Sequence, residues 1–405
     1  MKNRKLHYWL IVLIYFSAHN FFNPLDMVDE KVSKFIFYAL STIGLIVALR
    51  LKKSSEIRYP RKAYRMLLGG ILTSIVMATS FHNQSFNISV ITTLPYLFAY
   101  LYFYILCKFK IPIDEIEQML KILTICSIVM YIINLACLPN MIFGKTKEEY
   151  DMSRGFYRLQ VPMIEVVVAS FLLNIKNWIE RRRRQDLYWI IATGLLIFLS
   201  VVRQVIAVSA ILGLLMFLRN ASWFRKIVIS VSVLVLVQYV LPQIPMVKAM
   251  MEVTEQQALK NQEDDDIRIK AWNFYLHEYQ TNSLSYVFGN GLPSIGNSSW
   301  GNQFQKTVGV EYGGSGCLFV DVGWAGYFWL FGGLSLLGLL SMMFNGFFDK
   351  RCQTIRYELY VISFFAITSL TSGPIIFYYQ VCSLSLYLYI KYAKQIYSSN
   401  HPQLQ

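Results

Sequence analysis

Long apolar blocks separated by short basic segments constrain this chain more than any other feature. The first block runs from 6 to 22, and further blocks follow along most of the 405 residues. A helix that crosses the hydrocarbon core of a bilayer needs about 20 apolar residues, which is close to the length of these blocks. Soluble domains carry about a quarter charged residues, whereas this chain carries 15%. An ordinary soluble fold is therefore excluded.

The sequence predicts an all-α polytopic membrane protein with about twelve spans. The first span is interpreted as a retained signal-anchor helix, because no small-residue cleavage site follows it. The chain then divides into helices at 1–243, a large outer loop at 244–316, and helices with a short tail at 317–405. The predicted spans are 6–22, 32–49, 66–82, 88–107, 119–138, 161–179, 187–202, 203–218, 227–243, 317–344, 357–372 and 375–391.

The positive charge of the chain is spread over many short clusters. The net charge is +14, but no single basic patch suits nucleic acid, and the clusters lie between apolar blocks. Cytoplasmic loops collect Lys and Arg in this way, since the positive residues stay on the inner side. The pattern favours both termini in the cytoplasm and the 244–316 loop outside. The six scattered cysteines form no CxxC pair and indicate neither a zinc site nor a disulfide framework.

One stretch between two basic clusters holds a single charge. Residues 187–218 contain only Arg203, at their midpoint, and both flanks are basic. An even number of crossings must fit between cytoplasmic flanks, so two short helices are predicted to meet at Arg203. Two interpretations stay open: the arginine snorkels at a tight hairpin, or it faces a watery cavity and an anion.

The large loop contains one helical pattern, at 267–280. Arg268, Trp272, Tyr275 and Tyr279 share one face of that helix. The aromatic side chains could stack on sugar rings or pack onto the ends of membrane helices, and Arg268 could simply be exposed to solvent. The glycine-rich run that follows is expected to be a flexible, turn-rich segment.

Four other charged residues lie near the predicted outer face. Asp321 falls in the first turn of the span 317–344, and Glu165 lies four residues into the span that begins at 161. Arg154 and Arg158 precede that span. The alternatives are plain: Asp321 pairs with a neighbouring arginine, Glu165 is a structural anchor, and the two arginines are solvated loop residues.

These charged residues suggest one outward pocket if they converge with Arg203 and Arg268. Guanidinium groups bind phosphate through two parallel hydrogen bonds. A carboxylate in an apolar rim has a raised pKa and suits a general base. The chain has no P-loop, HExxH or serine-elbow motif, so the sequence gives no support for energy coupling by ATP.

At these residues the chain resembles the bacterial O-antigen polymerase and ligase superfamily. The resemblance covers roughly 150–345, and its parts are short motifs arranged around the longest outer loop. They are Arg154-Gly155, the hairpin 199–207, the loop opening 266–272 with Phe288-Gly289-Asn290-Gly291, and Phe319-Val320-Asp321-Val322-Gly323 with 330–333.

The resemblance implies a GT-C-like fold and glycosyl transfer in the bacterial cytoplasmic membrane. Such proteins join oligosaccharides carried on a polyprenyl diphosphate, without a nucleotide sugar or an obligate metal. Arg203 and Arg268 would then bind the diphosphate, with Arg154, Arg158, Glu165 and Trp272 as substrate-binding residues. A flippase and a chain-length regulator are expected partners, besides membrane lipid.

The resemblance leaves the type of transfer open. Ligases of the superfamily usually carry an essential histidine late in the loop, but here no histidine lies between 278 and 400. Asp321 occupies the comparable position, which favours a polymerase and makes Asp321 the first candidate base, with Glu165 second. The alternatives are ligase-type transfer and a lipid-linked sugar flippase or secondary transporter, although the two halves of the chain differ.

Overall fold

The computed structural model of the protein describes most of the chain. The described residues are 2–19, 24–51, 57–138, 142–143, 159–220, 222–224, 226–228, 231, 238–239, 243, 247–248, 251–252, 267–280, 282–311, 319–347 and 355–400. Arg154, Arg158 and most of the predicted span at 227–243 lie outside them.

The described residues form helices joined by turns and loops, with no strand among them. The helices that we label are α1 (Lys2–His19), α2 (Glu30–Arg50), α3 (Arg61–His82), α4 (Phe86–Phe109), α5 (Ile113–Ala136), α6 (Ile164–Arg181), α7 (Arg184–Leu199), α8 (Arg203–Asn220), α9 (Ile267–Asn273), α10 (Ser285–Phe288), α11 (Ser299–Glu311), α12 (Gly323–Phe344), α13 (Tyr357–Thr368) and α14 (Tyr378–Asn400).

Five of these helices are long and apolar enough to cross a membrane, namely α2, α3, α4, α5 and α12. This confirms the prediction of a helical membrane protein. Local signals fix several helix ends: the Asp29 carboxylate accepts the Lys31 N–H at the start of α2, and Asn83 adopts a left-handed φ of 53° after α3. The total of about twelve spans and the orientation of the termini stay predictions.

Two helices begin later than the predicted spans. Helix α12 begins at Gly323 rather than 317, and a 3-10 turn at Phe319–Asp321 precedes it. Asp321 therefore lies before the spanning helix and not in its first turn. Helix α6 begins at Ile164, so Glu165 is its second residue.

The chain divides into two compact units. The first comprises Met1–Asn20, Met27–Leu120 and Ile267–Gln405. Its centre is the packing of α3 against α12, where a Cβ added to Gly70 would lie 2.6 Å from the Ser335 nitrogen and one added to Gly338 would lie 2.5 Å from the Leu67 nitrogen. Small residues let two helix backbones approach closely in a membrane, where dispersion replaces the hydrophobic effect.

Helix α12 is broken at Gly332, whose φ of 74° and ψ of 172° are not helical. The backbone of the loop at 289–291 fills the break. The Asn290 N–H donates to the Trp329 carbonyl oxygen at 2.8 Å, and the Gly291 N–H donates to the Leu330 carbonyl oxygen at 2.9 Å. Residues 289–294 are buried, so the expectation of a flexible segment was wrong there.

Charged side chains connect the C-terminal end of α12, α13 and α14. Buried Lys391 donates to the Met342 and Met343 carbonyl oxygens, each at 2.9 Å, which satisfies the last turn of α12. Buried Glu358 pairs with Arg356 at 3.1 Å and with Lys394 at 2.8 Å. These hydrogen bonds and ion pairs lessen the cost of burying the charges.

The second unit comprises Phe21–Asp26 and Lys121–Asp266. Helices α6 and α7 are joined only by Arg182 and Arg183, so they run antiparallel. Helix α7 ends at Leu199 and α8 begins at Arg203, which confirms two short helices that meet at this arginine. Val201 in the turn has a φ of 56°, an unusual conformation for a β-branched residue.

We expect Gly70→Ala to destabilise the first unit by about 1–3 kcal/mol, because its Cβ would displace the Ser335 backbone. Gly69→Ala is the matched control, since a Cβ at the neighbouring position meets no atom within 4 Å. Thermal unfolding of the purified protein in detergent measures both effects. Equal midpoints for the two variants would contradict the close packing of α3 against α12.

Candidate functional site

A short loop at 369–372 brings together the two elements that carry Arg268 and Asp321. The Trp272 indole nitrogen in α9 donates to the Leu370 carbonyl oxygen at 3.1 Å. The Gly323 N–H, in the first turn of α12, donates to the Ser372 carbonyl oxygen at 3.0 Å. Arg268 lies one helical turn before Trp272, and Asp321 lies two residues before α12, so both residues come to the same loop.

Arg268 and Asp321 interact electrostatically at this junction. Both residues are exposed to solvent. Partial burial raises the pKa of Asp321 above its ordinary value of 3.8, and the nearby Arg268 guanidinium opposes this shift in pKa. The pair thus combines a carboxyl group that holds its proton more tightly than usual with a cation that can bind an anion. The interpretation that Asp321 pairs with a neighbouring arginine agrees with this electrostatic interaction.

The aromatic face of the loop helix packs mainly inside the protein. Tyr275 is fully buried with its ring 5.6 Å from that of Trp329, and Tyr279 lies 5.8 Å from the same ring. The Trp329 indole nitrogen also donates to the Tyr279 carbonyl oxygen at 2.8 Å. Packing onto the end of a membrane helix is therefore confirmed for these two residues, while Trp272 is half-buried.

A polar contact that the sequence analysis missed lies at the end of α3. The His82 ring stacks on the Trp300 ring at 4.0 Å, and its Nε2 atom lies 3.3 Å from the Asn290 Oδ1 atom. Gln84 donates to the Leu292 carbonyl oxygen at 2.9 Å and accepts the Ser294 N–H at 3.0 Å. The uncharged Gly289-Asn290-Gly291 run could have indicated a docked segment, but its partners are far away in the sequence. His82 lies 208 positions before Asn290, and Trp329 and Leu330 follow the run by about 40 positions.

The remaining candidate residues of the described chain belong to the second unit. Arg203 is half-buried at the first position of α8. Glu165 is buried at the start of α6, 2% exposed, where a carboxylate is favoured by the helix dipole. Because α6 and α7 are antiparallel, the start of α6 and the turn before Arg203 lie at the same end of this unit. The Tyr131 hydroxyl of α5 donates to the Leu199 carbonyl oxygen there, at 3.3 Å.

The structure thus brings Arg268, Asp321 and Trp272 together in the first unit, whereas Arg203 and Glu165 belong to the second. Arg154 and Arg158 lie outside the described residues. The convergence of the six charged residues in one pocket stays a prediction. Across the described ranges, no group of three or more His, Cys, Asp or Glu side chains could hold a metal ion. No protein-family model matches the chain, and no curated protein matches it significantly.

We expect Arg268→Gln to raise the pKa of Asp321 further, because it removes the cation that lowers this pKa. A carboxyl whose pKa is higher in the folded state than in the unfolded state adds most stability at low pH. That contribution falls as the pH rises from 3.8 through the folded pKa. Infrared titration of the carboxyl, identified by its loss in Asp321→Asn, measures the shift.

The control for this titration is Lys270→Gln, which removes an exposed cation from the same helix. It should leave the pKa of Asp321 where it is. An unchanged titration in Arg268→Gln would show that the two side chains do not interact.

Proposed function

We propose that this protein polymerises oligosaccharide units carried on a polyprenyl diphosphate, at the outer face of a bacterial cytoplasmic membrane. The Arg268–Asp321 pair is the observation that carries this proposal. It joins an anion-binding group and a carboxyl of raised pKa beside the end of a candidate membrane span. A lipid-linked diphosphate presents its charged group at that level, while its hydrocarbon chain stays in the bilayer.

The reaction needs both members of the pair. Asp321 in its carboxylate form takes the proton from an acceptor sugar hydroxyl, and the hydroxyl oxygen forms a bond to the anomeric carbon of the donor. The bond between that carbon and the diphosphate oxygen breaks, and the lipid diphosphate leaves with the electron pair. Arg268 stabilises the charge that develops on this leaving group. Half-buried Trp272 offers an aromatic face for a sugar ring.

Arg203 is proposed as a second cation for the diphosphate. An anion near the first residue of a helix is favoured by the helix dipole as well as by the guanidinium. Glu165, buried in the same unit, supports that end structurally and is the second candidate for the base. A flippase that supplies the lipid-linked units and a regulator of chain length are the partners that this reaction implies.

One observation favours a second candidate function, transport. Secondary transporters bind their substrates where membrane helices are discontinuous, and α12 is broken at Gly332. In this structure, however, the loop backbone at 289–291 occupies the break through hydrogen bonds. The polymerase therefore remains the better-supported proposal.

We expect Arg268→Ala and Asp321→Asn each to lower polymer formation by about 10²- to 10³-fold, the usual loss when a charge-stabilising group is removed. Cells that make a surface polysaccharide through this protein should accumulate single repeat units. Gel analysis of the polysaccharide measures chain length, and Lys270→Ala is the matched control. Variant protein must reach the membrane in normal amount for the comparison to count.

Other outcomes of this experiment would replace the proposal. Full-length chains in both variants would remove Arg268 and Asp321 from the reaction. Long chains that stay on the carrier lipid after deletion of the gene would identify a ligase. Lipid-linked units trapped at the cytoplasmic face would identify a flippase or transporter.

For Arg203→Ala we expect the same loss of polymer, because the diphosphate would lose one of its two cations. Arg203→Lys should recover only part of the activity, since an ammonium cannot bind phosphate through a planar fork. Gln204→Ala changes the adjacent residue and serves as the control. Normal chain length in Arg203→Ala would assign this arginine to the helical hairpin alone.

A further inference from the structure

The loop residues 284–294 lie deep along two helices that are candidates to cross the membrane. Gly332, which contacts the loop backbone at Val287 and Gly289, is nine residues after the start of α12. At 1.5 Å per residue this is about 14 Å along the helix. On α3, a Cβ added to Gly291 would lie 2.5 Å from the Ser74 carbonyl oxygen.

The two helices give the same depth. Ser74 is eight residues before the last residue of α3, His82, which is about 12 Å along that helix. The hydrocarbon core of a bilayer is about 30 Å thick. If α3 and α12 cross the membrane, the tip of the loop therefore lies near the middle of the core.

The sequence of this region suits such a depth. No Asp, Glu, Lys or Arg occurs from 279 to 305, although this is part of the loop predicted to lie outside. Charged side chains are strongly disfavoured within the hydrocarbon core. The polar side chains that contact this part of the loop, His82, Gln84 and Gln280, can be uncharged and form hydrogen bonds with it.

The loop backbone also meets the requirement for non-helical structure inside a membrane, which is that protein groups satisfy its hydrogen bonds. The Gly289 N–H donates to the Ser285 carbonyl oxygen at 2.8 Å, and the next two N–H groups donate to the carbonyl oxygens of α12 at its break. Gln84 bonds the Leu292 carbonyl oxygen and the Ser294 N–H. Pro293 has no N–H that would need a partner.

The outward side of the same residues is apolar. Leu284 is 49% exposed, Tyr286 40% and Val287 45%. These apolar side chains are exposed, they lie about halfway along two candidate spanning helices, and the segment around them has no charged side chain. Lipid hydrocarbon is the environment that suits all three features.

We infer that residues 284–294 form a re-entrant segment, which enters the membrane between α3 and α12 and returns to the same face. Its buried side fills the break in α12, and Leu284, Tyr286 and Val287 contact the hydrocarbon chains of membrane lipids. The segment holds the first half of α12, and with it Asp321, from within the membrane. This inference rests on packing and does not depend on the proposed reaction.

Accessibility of an introduced thiol tests the re-entrant segment. Val287→Cys and the control Gln305→Cys, which changes an exposed residue of α11, are compared in the full chain in lipid nanodiscs. Maleimide reacts with the thiolate form of cysteine, and a hydrocarbon environment disfavours this charged form. A water-soluble maleimide should therefore label position 287 at least about tenfold more slowly than position 305. Peptide mass spectrometry separates both positions from the six native cysteines.

A second measurement on the same thiol distinguishes lipid from a dry protein interior. A bimane group at 287 should be quenched by phospholipids brominated on their acyl chains and not by iodide in the water, with the reverse at 305. Leu284→Cys repeats the test at an independent exposed position. Labelling at 287 as fast as at 305, or quenching at 287 by iodide, would overturn the inference.

Discussion

The close approach of α3 and α12 supports most of the first unit. Gly70 and Gly338 allow the two backbones to touch, and Ser335 adds a hydrogen bond from its hydroxyl to the Leu67 carbonyl oxygen at 3.1 Å. Apolar surface gains little from association in a membrane, so this contact depends on fitted small residues rather than on hydrophobic burial. Helix α12 then carries Trp329, around which the loop aromatics assemble, and its first turn follows Asp321.

The irregular backbone segments that contact α12 form hydrogen bonds with it. The loop at 289–291 supplies N–H groups to the carbonyl oxygens at the break of α12, and the loop at 369–372 supplies carbonyl oxygens to its first N–H groups. At the opposite end, Lys391 donates to the last carbonyl oxygens, while Glu358 forms ion pairs with its two basic neighbours. Such hydrogen bonds are required wherever water cannot reach the backbone, and they connect α12 to the elements around it at its start, at its break and at its end.

The proposed chemistry takes place at the exposed junction of Arg268 and Asp321, next to the packed interior of the first unit. Arg268 and Asp321 keep access to solvent, whereas the aromatic rings behind them are packed away. A diphosphate can therefore meet the guanidinium at the surface while the neighbouring carboxyl remains partly desolvated. The re-entrant segment would add a lipid-facing wall below the junction, where the hydrocarbon chain of the proposed lipid-linked donor would lie.

The sequence by itself determined where most helices form. The predicted spans 32–49, 66–82 and 88–107 fall within Glu30–Arg50, Arg61–His82 and Phe86–Phe109, because an apolar block in a membrane must pair its own backbone groups, and a helix does this locally. Charge placement also located the α7–α8 turn at Arg203.

Only the tertiary structure decided what the glycine-rich run does and which charged residues meet. A glycine permits either a mobile turn or a close backbone contact, and at Gly289 the outcome depends on Gly332, far along the chain. Arg268 and Asp321 likewise come together through the 369–372 loop, whose carbonyl oxygens hold both elements. Local sequence patterns do not encode such contacts, because they arise from the packing of separate helices.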